Sequence, residues 1–319
     1  MFNFSFHRRL ALTVISAAAI TLAGCGGTTS SSSTTLLVTP ALGAAFGATV
    51  LVYNAGGGLI GRGVTGADGK VNVTLSGYTA GEPIVIKTVM GVGSFYFNEK
   101  TGANTAPLTA AEPIVTLMAV VPSVASGQAV GVTALTNMAA AFAGVTADTV
   151  LTAKPVTSAV AVEGIAKTNL ALGLPVATNI TEAPIAATAA NWNNATGVIT
   201  GATGTGSVTG KILAEMARTS TTTPAAQAVA LATAVNSSTG LVATGTASAV
   251  VGTVNTALQA AEAKLSIDVV VSVPPSNTPE FAAKLVEAKT VATAVTGNAV
   301  PGAVQKPTGT GTGSVGTGG

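Results

Sequence analysis

Gly66-Ala67-Asp68-Gly69-Lys70-Val71-Asn72-Val73-Thr74-Leu75 is the stretch that decides the fold of the first half of this 319-residue chain. Asp68-Gly69 supplies the positive-φ positions of a tight hairpin turn. Val71, Val73 and Leu75 then alternate with Asn72 and Thr74, so one face of the strand is dry and the other wet. Working outward, Ala48-Thr49-Val50-Leu51-Val52-Tyr53 is β-branched and aromatic, and Asn54 to Gly58 ends it with turn residues. Leu59 to Val64 leads into the hairpin. Further strands are expected over Pro83 to Val89 and Ser94 to Asn98, and Pro113 to Val121 closes the set. Short strands at this spacing point to a sandwich.

From about Thr133 the period becomes helical. Thr133 to Ala143 and Val156 to Leu172 are the first two candidates. Thr223-Pro224 is an N-cap followed by proline at the first helical position, opening Ala225 to Val235. Val250, Val254, Leu258, Ala261 and Leu265 recur at helical spacing on one face. Thr278-Pro279-Glu280 repeats the capped start, and Phe281, Leu285, Ala288, Ala292 and Val295 form the next stripe, stopped by Gly297 at the C-cap. The expected fold class is therefore α+β: an N-terminal antiparallel β-sandwich over 36–122, then an Ala/Thr-rich helical domain over 123–300. Alanine-lined stripes allow close helix contact, but each alanine buries little area.

The run from Gly47-Ala48-Thr49-Val50 through Gly66-Ala67-Asp68-Gly69-Lys70-Val71 to Pro83-Ile84-Val85-Ile86-Lys87 resembles the carboxypeptidase-regulatory, or transthyretin-like, Ig-type domain. That family pairs a Gly-Ala-x-Val strand with a Thr-Asp-x-Asp-Gly hairpin. Here Gly66 follows Thr65 where the family has the first Asp. The resemblance covers about 80 residues and implies a non-catalytic sandwich used for adhesion, carbohydrate contact or spacing, with no ligand residue carried over. The succession of an apolar β-region, Val130-Gly131-Val132-Thr133-Ala134-Leu135-Thr136 and alanine-rich helices also resembles a class of proteobacterial lipoproteins that has no established activity.

The N-terminus carries an address. Arg8 and Arg9 precede an uncharged apolar stretch from Leu10 to Leu22, and Ala23 and Gly24 are small residues before a cut. Leu22-Ala23-Gly24-Cys25 resembles a bacterial lipobox and holds the chain's one cysteine. The resemblance implies a signal peptide over 1–24, removed before Cys25, with diacylglycerol on the Cys25 thiol and an acyl chain on the freed amine. The apolar stretch is shorter than the ~20 residues that a transmembrane helix needs. Gly26 stands where an Asp commonly signals inner-membrane retention in Gram-negative lipoproteins, so the expected location is the outer membrane. Residues 25–35, ending in GGTTSSSSTT, read as a lipidated Cys and flexible tether, and 301–319 as a disordered Gly/Thr tail.

Composition narrows the chemistry further. Charged residues make up 8% of the chain against about a quarter in typical soluble domains, which suits an envelope or extracellular setting. Subtracting Arg8 and Arg9 from fourteen Lys and Arg leaves twelve, against twelve Asp and Glu. The processed chain is formally neutral, and no basic field is present to attract nucleic acid. The one histidine, His7, lies in the leader. Residues 26–319 therefore lack the side chains for imidazole-assisted nucleophilic catalysis or a His/Cys zinc site.

Three stretches hold the remaining candidates. Gly201 to Lys211 is glycine-rich ahead of a helix over Ser207 to Arg218, but Thr205 and Ile212 break the phosphate-loop spacing, so it reads as a linker. Ser94-Phe95-Tyr96-Phe97 clusters aromatics; alternation buries Phe95 and Phe97 and turns Tyr96 outward. Asn191-Trp192-Asn193-Asn194 holds the sole tryptophan, which either caps the helical core or stands exposed for recognition. Tyr96 and Trp192 are thus the candidate binding surface. No catalytic, cofactor or metal residue is assigned, and Glu262, Asp268, Glu280 and Glu287 stand singly, without the pairing that acid/base chemistry uses. The expected function is a non-enzymatic, lipid-anchored envelope module for binding or scaffolding, with the membrane and a protein or polysaccharide as partners. The alternatives are a self-assembling surface fibre or layer subunit, and a periplasmic hydrolase or carrier with an interdomain pocket.

Overall fold

The computed structural model describes residues 33–146, 155–200, 205–236, 241–243, 245–269 and 278–297. The leader, Cys25, the distal tail and the first residues of the glycine-rich linker, Gly201 to Gly204, lie outside them. The chain contains both strands and helices, in the α+β manner expected. It begins with β1 (Thr34–Ala41), β2 (Ala45–Phe46), β3 (Thr49–Asn54), β4 (Leu59–Val64) and β5 (Val71–Leu75). There follow β6 (Ile84–Met90), β7 (Phe95–Asn98), β8 (Ala103–Asn104), β9 (Val115–Val121) and β10 (Gln128–Thr133).

Strands β4-β3-β6-β9 form an antiparallel sheet in that order, and β10-β1-β5 form a second. Inward residues of both sheets, among them Leu36, Val38, Val50, Val52, Ile84, Ile86, Leu117 and Val130, join one apolar cluster. Two features depart from the expected antiparallel arrangement. β1 runs parallel to β10, from Leu36 opposite Gln128 to Ala41 opposite Thr133. Neither strand was among those expected. The second departure is at Asp68-Gly69, where the turn forms as the residues require: Gly69 has φ +71°, and Lys70 N–H donates to Asp68 Oδ1 at 3.1 Å. It does not close a hairpin, because β4 pairs with β3 while β5 pairs with β1. The chain crosses between layers there. Gly61 and Gly63 make the crossing close, since a Cβ on either would sit 2.6 or 2.5 Å from Val73 or Val71.

The helices follow as α1 (Ala134–Phe142) and α2 (Ser158–Leu172), then the small hairpin β11 (Trp192–Asn193) and β12 (Val198–Ile199). After it come α3 (Thr205–Thr219), α4 (Pro224–Thr233), β13 (Val235–Asn236), β14 (Leu241–Val242), α5 (Thr246–Ala260), α6 (Glu262–Leu265) and α7 (Pro279–Gly297). Caps account for several starts. Thr133 and Thr136 form a reciprocal capping box at α1, Thr157 caps α2, and Thr223 caps α4 with Pro224 behind it. The stripe from Val250 to Leu265 is broken between α5 and α6 at Ala261, although Val254, Leu258, Ala261 and Leu265 are all buried as one face.

All nine residues of α1 are buried. Its polar side chains are used up internally: Asn137 accepts from Met118 N–H of β9 at 3.0 Å and donates to the Ala228 carbonyl of α4 at 3.2 Å. The helix therefore bridges the sheet to the later helices. Apolar residues of α1, α2, α3, α4 and α5 belong to the same cluster that fills the space between the sheets. A smaller cluster on the outer face of β3-β6-β9 joins Tyr53, Val85, Met118 and Val120 to Ala140 and Ala161.

Candidate functional site

Strand β7 is short, and both of its faces are covered. Alternation normally leaves one face of a strand wet, yet here Tyr96 enters the main cluster while Phe97 enters a second one with Ala187, Ile199 and Ala214. Tyr96 is 5% exposed, which corrects the expectation that it points outward. The physical reason is that β7 turns its Tyr96 side to the main core, while the segment 185–199 folds over the opposite side and buries Phe97, which would otherwise lie at the surface. Phe95 is half-buried instead, stacked on Phe46 with ring centroids 4.8 Å apart.

Trp192 is half-buried on β11 and meets Phe97 edge to face at 6.4 Å. It caps the small cluster rather than the main helical core, and its indole Nε1 is buried with no hydrogen-bond partner. Tyr96 and Trp192, distant in sequence, are thus brought to opposite sides of one aromatic strand. The Tyr96 hydroxyl bonds to Thr223, the residue that caps α4. Burial pushes this phenol up, the Thr223 bond opposes the shift, and the carboxylates of Glu99 and Glu112 add to it.

Glu99, just past the end of β7, is the residue that the strand pattern does not reveal. It is 2% exposed. Its Oε1 accepts the Gly43 N–H at 2.8 Å, and its Oε2 is buried without a hydrogen-bond partner. Desolvation drives its pKa up to about 8, against the pull of its own and the Gly43 backbone N–H groups. The sequence did carry one signal: Glu99 follows directly on Phe95-Tyr96-Phe97-Asn98, the densest aromatic run in the chain. The main chain is tightly locked around it. Phe97 N–H donates to Ala44 O at 2.9 Å, Ala44 N–H donates to Ala187 O at 3.0 Å, and a Cβ on Gly43 would lie 2.5 Å from Phe97 O.

A second buried carboxyl behaves in the opposite way. Glu215 of α3 is 3% exposed; burial alone pushes it up, but hydrogen bonds and charge from Arg218 and Lys264 hold it below the ordinary carboxylate range. Lys264 Nζ lies 2.7 Å from its Oε2. This triad ties α3 to α6 and is structural. In the glycine-rich linker, Gly210 falls inside α3, where a Cβ would sit 2.3 Å from the Ile185 carbonyl. That glycine serves helix-to-backbone packing. Cys25 lies outside the described residues. Among the described residues, no group of three or more His, Cys, Asp or Glu is placed to hold a metal, and no helix is long and apolar enough to cross a membrane.

No family model, curated protein or solved structure matches the chain.

Proposed function

We propose that this chain is a non-enzymatic, lipid-anchored protein of the bacterial cell envelope, held through Cys25 at the outer membrane, and that its β-layers form an Ig-like or transthyretin-like sandwich used for binding or scaffolding. The observation that carries this reading is Leu22-Ala23-Gly24-Cys25, placed directly behind the basic and apolar stretches of a secretory leader. Each buried acyl methylene contributes ~0.8 kcal/mol, and two or more chains give a stable hold. The sandwich reading is supported by the division of seven strands between a four-stranded and a three-stranded sheet with a shared apolar interior. The test is metabolic labelling of the full-length protein in a Gram-negative host with an alkyne fatty acid, followed by membrane fractionation. The wild-type chain takes up the label and sediments with outer membranes, and Cys25→Ala does neither. An unlabelled wild-type chain, or one whose mass retains residues 1–24, overturns the proposal.

A second reading, a self-assembling surface subunit, draws on β4. This strand is the outermost of its sheet, with Leu59 54% and Val64 57% exposed and Arg62 its one charged residue, although its Ile60 carbonyl accepts from Ser76 N–H at 2.8 Å. Long edges with little charge are poorly protected against pairing with another chain. Sedimentation of the delipidated protein separates a subunit of this kind from a monomeric module.

A further inference from the structure

Glu99 sits where three stretches of main chain meet: the turn 42–44 between β1 and β2, the end of β7, and Ala187 of the segment that carries the Trp192 hairpin. Gly43 is pressed so closely into this junction that a Cβ would be 3.0 Å from Glu99 Oε1 and 3.1 Å from Ala187 O. The carboxyl is therefore part of the contact that holds the turn on the 185–199 segment. Oε1 receives the Gly43 N–H, and Oε2 is buried with no hydrogen-bond partner. A neutral carboxyl tolerates this environment; an ionised one lacks the cation or the further hydrogen bonds that would offset its lost hydration.

The charged surroundings offer no compensation. On its own stretch, Lys100 reaches away to the Ser220 carbonyl at 2.9 Å, and Tyr96 and Glu112 are acids. The turn 42–44 and the segment 185–191 carry no titratable side chain. Helix α3 contributes Ala214 to the cluster beneath, while its Glu215 is engaged with Arg218 and Lys264.

We propose that Glu99 is a proton-operated latch. Protonated, it stays sealed and keeps the turn 42–44 on Ala187, with the Trp192 hairpin closed over β7. When its proton passes to solvent, water must reach the carboxylate, the turn lifts from Ala187, and the aromatic face of Phe97 and Trp192 opens. The device gives the Phe97 and Trp192 face a closed state on the acid side and an accessible state on the alkaline side. It stands on the geometry of this junction and does not depend on Cys25.

The sole tryptophan makes the test direct. The full-length protein in detergent micelles is titrated from about pH 6 to about pH 9 while Trp192 emission and acrylamide quenching are followed. The expected result is a red shift with increased quenching, with a midpoint near the Glu99 value of about 8, absent in Glu99→Gln. A flat wild-type titration, or the same transition in Glu99→Gln, overturns the latch. Hydrogen exchange of the Gly43 and Ala44 amides in the wild-type protein gives an answer independent of the variant. Their protection, corrected for intrinsic exchange, falls through this range if the latch operates and stays constant if it does not.

Discussion

Glu99 and Glu215 are 2% and 3% exposed, yet their carboxyl groups are pushed in opposite directions. Burial alone raises both; two cations reverse the shift at Glu215, whereas Glu99 has backbone N–H groups but no cation to oppose it. The consequence for stability has a definite sign. Folding raises Glu99 from its ordinary 4.5 to about 8, so between those values the folded chain binds a proton that the unfolded chain does not. Stability is then fullest below about 4.5 from this group and falls as pH rises to about 8, with a slope of up to about 1.4 kcal/mol per pH unit. Glu215 and Glu163 are held low, the latter by Lys167 and Lys289 overcoming its burial, and their contribution is lost as the solution becomes more acidic. Urea denaturation across this range is expected to show highest stability in mildly acid solution. Glu99→Gln should flatten the decline on the alkaline side while leaving the acid limb intact. A wild-type protein equally stable at about pH 5 and about pH 8 contradicts this assignment.

At the scale of elements, the caps were readable because they are local. Thr223 and Pro224 act within one turn of their own helix, and α4 starts where those residues placed it, whereas Thr133, read as the first residue of a helix, proves to be its cap. The β1–β10 pair was not readable, since its partners are about ninety residues apart and a parallel register carries no turn signal between them. The tight crossing of α1 and α2 was hidden for a related reason. Gly164 looks like a weak point in α2, where glycine costs ~1 kcal/mol against alanine. Its missing side chain instead lets the helices meet: a Cβ would lie 2.3 Å from the Ala139 carbonyl of α1. Gly164→Ala is therefore expected to destabilise the protein by about 1–3 kcal/mol, opposite in sign to the helix-propensity effect. A thermal melt that rises on this substitution shows that the helices separate without cost.

For the whole molecule, the balance lies between shielding and association. The described residues belong to one compact unit, with a core shared by sheets and helices, and few charges guard its outer surface. Leu59 and Val64, exposed on the outermost strand β4, set the expectation that the delipidated protein associates weakly, with a sedimentation coefficient that rises with concentration. A constant monomeric value across the accessible range removes the self-assembling reading and leaves a monomeric module. Sequence alone carried the features written in neighbouring residues: the stretch that resembles a lipobox, the low density of charge, the strand-to-helix change near Thr133, and the capped helix starts. Tertiary structure decided the rest, namely that Asp68-Gly69 changes sheets instead of closing a hairpin, that β1 and β10 run parallel, that Tyr96 is buried, and that Glu99 is left without a cation. The reason is physical. Turn chemistry and periodicity act over a few residues, whereas burial and pairing depend on which distant segment arrives: β10 beside β1, the main core against Tyr96, and 185–199 over Phe97.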